Sequence, residues 1–199
     1  MSGPLRQRPT SARPRRQSGI TTRRQMRQWL SRGGRKWVKG VWQAADKYSL
    51  TLARLSPVSS PAGTRLADQY LAEHNLAGEE AHRAVFLTLV AGYSTRAVLA
   101  EPTEQPRLDP APADDDGLEA QVRTIASEQF DSIMSLPPAV WRGYVVTATM
   151  NLQTRVCSAT FPWQQLGPEQ VETLLRWGYV LRCVDEVRAT EPVLQETAR

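Results

Sequence analysis

The stretch "EEAHRAVFLTLVAGYSTRAVLA", residues 79–100, decides how the rest of the chain reads. From Ala84 to Tyr93 it is almost unbroken apolar sequence, followed at once by Ser94, Thr95 and Arg96. The run is about half as long as a bilayer crossing requires, so it reads as protein core. Glu79 and Glu80 at its start suit the positive end of a helix dipole. A helix that is apolar on nearly every side must be surrounded by other elements.

The flanking segments carry apolar faces of the right kind. Upstream, Leu66, Ala67, Tyr70 and Leu71 fall at helical spacing and end near Asn75. Downstream, Leu118, Val122, Ile125, Ala126 and Ile133 share a face, and Pro137-Pro138 stops that helix. Trp141, Tyr144, Val145, Ala148 and Leu152 mark residues 139–157 as helical, although "GYVVTATM" within them favours a strand. "FPWQQLGP" then turns the chain into a final helix at about 168–188, carrying Val171, Leu174, Leu175, Leu181 and Val184. "LSPVSSPAG" at 55–63 reads as a linker broken by Pro57 and Pro61. The expected fold class is all-α. A small bundle of about five helices spans 64–190, an acidic Pro-rich loop interrupts it at 101–117, and 191–199 form a tail.

The 199 residues leave room for one such domain plus tails, and the formal net charge of +5 conceals a sharp division. Residues 1–45 hold 12 Lys and Arg and no acid, whereas residues 46–199 hold 13 basic and 20 acidic groups. Residues 1–20, with Pro4, Pro9 and Pro14 and little that is apolar, read as a disordered Arg-rich arm. Residues 21–54 read as a basic amphipathic helical segment. With each residue turned about 100° from the last, Met26, Trp29, Leu30, Trp37, Val41 and Ala44 gather on one face, while Val38 and Trp42 fall off it. Arg32, Arg35, Lys36 and Lys39 lie opposite. The segment is either one helix running through Gly33-Gly34 or two pieces, 22–32 and 35–50, hinged there.

An acid-free, arginine-rich segment points to a polyanion. Guanidinium groups pair with phosphate oxygens in two-pronged fashion, and each neutralised phosphate releases condensed counterion. The candidate nucleic-acid-binding residues are Arg23, Arg24, Arg27, Arg32, Arg35, Lys36 and Lys39, with Trp29 and Trp37 placed to stack on exposed bases. The expected function is that of a non-enzymatic, cytoplasmic accessory or regulatory protein. Its basic arm grips DNA or RNA without sequence preference, and its acidic helical body makes protein contacts or homo-oligomers. The loop at 101–117, with six acids, would compete with phosphate for the arm. Two alternatives stand beside this. Segment 22–50 would anchor a peripheral protein on an anionic membrane surface, or Trp29, Trp37 and Trp42 dock on the bundle of a pure protein-interaction module.

No catalytic constellation, metal site or cofactor motif is expected. Glu79 and His82 form a single Glu-x-x-His, but the second pair and further glutamates that a di-iron site needs are missing. Cys157 and Cys183 show no metal spacing and suit a reduced compartment. Asp185 and Glu186 beside Cys183 would suppress its thiolate, so it reads as a packing residue. "TRRQM" at 22–26 lacks the apolar stretch that would make it a twin-arginine leader. "LGPEQVETLLRWGYVLRCVDE" at 166–186 resembles the recognition helix and first wing strand of winged-helix regulators. Glu169, Glu172 and Glu186 would repel DNA from such a helix, which favours one continuous helix instead.

Overall fold

The apolar run at 84–93 is the middle of a helix, Glu79–Leu99, in which twelve residues from Ala81 to Arg96 are buried. The computed structural model describes residues 33–55, 59–99, 106–111, 117–134, 136–155 and 166–196. Seven helices form among the described residues, with no strand: α1 (Arg35–Leu55), α2 (Ser59–Glu73), α3 (Glu79–Leu99), α4 (Leu118–Glu128), α5 (Phe130–Ile133), α6 (Pro138–Arg155) and α7 (Pro168–Glu196). The all-α class therefore stands. The number exceeds the expected five because α1 joins the bundle and Gln129 splits one expected helix into α4 and the single turn α5. The expected disordered arm, residues 1–20, lies outside the described residues, as does most of the 101–117 loop.

α3 and α7 form the centre and share the most extensive helix pairing in the molecule. They meet backbone to backbone. A Cβ added at Gly92 would fall inside the Leu175 carbonyl oxygen and 2.9 Å from Leu175 Cα. One added at Gly178 would collide with the Leu89 carbonyl and sit 2.9 Å from the Tyr93 nitrogen. Both glycines are thus required by proximity, and the small-residue contact lets Leu89, Val90, Leu174 and Tyr179 bury fully around it. Thr88 and Thr95 keep their hydroxyls satisfied inside this core by donating to Ala84 and Ala91 carbonyls at 2.7 Å.

The other helices wrap this pair. α2 ends with Asn75 at φ 52, and the Leu76 amide donates back to the Leu71 carbonyl at 2.9 Å, a left-handed cap that asparagine tolerates. The expected linker at 55–63 is partly helical, since α2 already begins at Ser59. Pro61 lies in the first turn, where a backbone N–H has no partner within the helix and its loss is harmless. α4 buries Leu118, Val122, Ile125 and Ala126, and α5 turns Phe130 inward. The Phe130 ring meets Trp141 at 5.0 Å and Tyr179 at 5.6 Å. α6 is helical despite its β-branched content, because Trp141, Tyr144, Val145, Ala148 and Leu152 form one buried stripe at helical spacing. The Tyr144 hydroxyl lies 2.7 Å from Thr95 Oγ1, tying α6 to α3.

α7 runs unbroken from Pro168 to Glu196, so residues 166–186 contain no wing strand and the helix extends into the expected tail. α1 corrects the phase expected for the basic segment. Its buried stripe is Val38, Val41, Trp42 and Ala45, with Trp37 and Ala44 only half-buried. Gly33 explains the shift. Its φ of 135° is not helical, so a phase counted from Met26 does not carry across it.

Two substitutions test the central crossing. Gly178→Ala should destabilise the protein by about 3 kcal/mol or more, lowering the thermal midpoint by roughly 6–12 °C. Gly40→Ala, on the exposed face of α1 with nothing within 4 Å of the added carbon, should raise it by roughly 2–4 °C. Circular dichroism melts read both, and a Gly178→Ala protein melting with the wild type would disprove the backbone contact.

Candidate phosphate-binding face

Of the nine residues expected to bind nucleic acid, Arg23, Arg24, Arg27, Trp29 and Arg32 lie outside the described residues. The other four occupy the first two turns of α1, and they separate by role. Arg35, Lys36 and Lys39 are exposed. Trp37 is turned toward the bundle, half-buried, with its ring 5.0 Å from that of Tyr144. Trp42 is fully buried. Docking on the bundle, one of the alternatives open from sequence, therefore describes both of these tryptophans. Neither offers a free face of the kind that base stacking needs.

The exposed cations of α1 stand together within two turns of one helix and lack acid partners. Among the described residues, Arg35, Lys36 and Lys39 make no ion pair. α1 has no acid in its first turn either, so two cations stand at the helix end that already carries partial positive charge. In the body Arg83, Arg107 and Arg142 are likewise exposed without an ion pair among the described residues, but each lies on a different element, and five other arginines show the reverse pattern. Arg65 pairs with Glu119, Arg123 chelates both oxygens of Glu73, and Arg176 pairs with Glu172 at 2.6 Å. Arg123 and Arg176 also lie over the rings of Trp177 and Phe130, at 5.1 and 4.6 Å.

The deepest of these pairs sits beside the α3/α7 crossing. Arg96 is 1% exposed and donates to Glu186 at 3.1 Å, while Arg182 donates to the other oxygen of Glu186 at 2.8 Å. Arg182 also reaches the Tyr93 hydroxyl, which donates to Asp185 at 2.7 Å. Burial and the neighbouring Asp185 carboxylate push the Tyr93 hydroxyl up to about 12. Asp185 itself is raised above the ordinary aspartate range, chiefly by burial, which outweighs the Tyr93 hydrogen bond and the charges of Arg182 and Arg188. One of its oxygens is buried with no hydrogen-bond partner.

The remaining candidates stay apart. His82 is exposed, 3.6 Å from Asp68, and His74 is exposed and stacked on Tyr70 at 4.0 Å. No group of three or more His, Cys, Asp or Glu capable of holding a metal forms among the described residues. Cys183 is fully buried, and Cys157 lies outside the described residues. A groove of about 400 Å³ lies between α4 and α7, lined by Arg123, Ser127, Glu169, Thr173, Arg176 and Trp177. Its two guanidinium groups already hold carboxylates. No described helix is long and apolar enough to cross a membrane. No protein-family model matches this chain, and neither the curated proteins nor the solved structures contain a significant match to it.

Sequence reading missed two features of the surface. The first is the sharing of Glu186 between Arg96 and Arg182, residues 90 and 4 positions away from it. The second is the outward face of α6, where Val146 and Met150 are exposed. Its signal was available, because residues 138–155 contain no acid and more apolar residues than one buried stripe can hold.

Asp185 gives a pH test of the buried network. A carboxyl whose folded pKa is raised adds stability only below the ordinary aspartate value, and loses it as pH rises through the folded value. Asp185→Asn keeps an acceptor for Tyr93 and removes that loss. Its thermal midpoint should exceed the wild type's at pH 7, with the gap closing toward pH 4. A gap that does not depend on pH would mean the carboxyl is not raised.

Proposed function

We propose that this chain is a non-enzymatic accessory protein that binds the phosphate backbone of nucleic acid through its basic N-terminal quarter. One observation carries the reading: Arg35, Lys36 and Lys39 are exposed without acid partners within two turns of one helix, while Arg65, Arg96, Arg123, Arg176 and Arg182 of the body are each held by a carboxylate. An unpaired cation has no ion pair to break before it meets phosphate, and the counterions condensed on the polymer are released as it does so. The body, net acidic after residue 45, repels the same polymer and so directs it to one end. Base stacking by Trp37 and Trp42 finds no support, since both face the core. The complex is therefore held by backbone charge and is insensitive to sequence. The acidic body is left to contact protein partners or to regulate access to the arm, in a cytoplasmic setting.

The clean probe is neutralisation in place. Beginning the chain at Thr51 would remove Val38, Val41, Trp42 and Ala45 from the core along with the charges. Replacing Arg35, Lys36 and Lys39 together by glutamine should weaken binding to duplex DNA equally for unrelated sequences. The slope of log affinity against log salt should become shallower by about 2–3, the value for three lost phosphate contacts. Fluorescence anisotropy titrations at several salt concentrations read both quantities. An unaltered slope would remove α1 from the binding surface.

A further inference from the structure

We infer that the outward face of α6, Arg142–Val146–Met150, together with the neighbouring cations of α1, docks on an anionic lipid bilayer. This goes beyond nucleic-acid binding and does not require it. Val146 and Met150 are 54% and 60% exposed, four residues apart and so stacked on one helix face. Arg142 and Thr154 continue the same exposed row at either end. The buried stripe, including Tyr144 and Ala148, occupies the opposite side. In a body with excess acid, the 18 residues of α6 contain none.

α6 also lies against α1, through Trp37 and Tyr144 among other contacts, which brings Arg35, Lys36 and Lys39 to the adjoining helix. The tryptophans of α1 face the bundle, so the apolar element offered to lipid is the valine–methionine pair.

The size and chemistry of the face select the occupant. Two apolar side chains fall far short of the roughly 800 Å² that each partner contributes to a stable protein interface. A phosphate backbone has nothing apolar for them to meet. A bilayer interface adds contributions from small pieces: apolar side chains enter the boundary between headgroups and acyl chains, and each nearby cation strengthens attraction to an anionic leaflet about fivefold. Methionine, unbranched and flexible, adapts readily to such a disordered medium.

The test is sedimentation of the full chain with vesicles of phosphatidylglycerol or of phosphatidylcholine, beside duplex DNA binding. Wild-type protein should partition onto phosphatidylglycerol and only weakly onto phosphatidylcholine. V146Q/M150Q should fold as the wild type does by circular dichroism, lose at least tenfold in vesicle partition, and keep its DNA affinity. R142Q should lose about fivefold on the anionic vesicles. Equal binding of both lipids, or undiminished vesicle binding by V146Q/M150Q, would overturn the proposal. So would a wild-type dimer, seen by analytical ultracentrifugation, that V146Q/M150Q dissociates and that ignores vesicles. If the α1 triple variant kept its DNA affinity, the nucleic-acid reading would fall while the V146Q/M150Q comparison still decided this one.

Discussion

The close approach of α3 and α7 at Gly92 and Gly178 is the constraint on which the remaining architecture depends. Two helices that touch through their backbones leave no space for water or for an intervening side chain. They also place Tyr93 and Arg96 of one helix within reach of Arg182, Asp185 and Glu186 of the other. A polar network this deep is tolerable because nearly every member has a partner. One oxygen of Asp185 is the exception, and it marks where the packing imposes a cost. Around the pair, α1, α2, α4 and α6 add apolar stripes, each too narrow to be stable alone.

Charge follows the same division between inside and outside. Arg123, Arg176 and Arg182 of the body work as structural elements: flat groups lying over Trp177, Phe130 and Tyr93 while a carboxylate neutralises them. Arg35, Lys36 and Lys39 of α1 have neither ring nor acid, although α1 is firmly seated through Trp42, which is fully buried. The basic face thus stands on a rigid base. That arrangement suits a surface that meets a long, repetitive partner such as a phosphate polymer or a lipid leaflet, where position matters more than shape.

Much of this was legible in the sequence, and the failures have physical causes. The apolar run at 84–93 identified the central helix, and stripes such as Val171, Leu174, Leu175, Leu181 and Val184 identified core faces, because periodicity reports burial directly. The phase of α1 was misread because Gly33 interrupts a pattern that had been counted through it. Pro61 was taken for a breaker, whereas the first turn of a helix accepts proline. The roles of Gly92 and Gly178 were not legible, since the reason for a glycine in a helix is the surface opposite, more than 80 residues away in sequence. The basic candidates were found by composition and by their shared helical face. Helical spacing put Trp37 and Lys36 on opposite faces, but it could not tell whether Trp37 meets a base or the bundle, because that depends on which helix lies beneath.

The glycine contact also bears on kinship. A chain that shared this architecture while carrying a side chain at either position would have to splay its two central helices, and Arg96 would then lose its hold on Glu186. Descendants of a common ancestor can change most of their surface and still keep a glycine pair about 86 residues apart, with an arginine four residues beyond the first and a glutamate eight beyond the second. That four-point signature, and not similarity along the whole chain, is the mark by which distant cousins of this protein would be recognised.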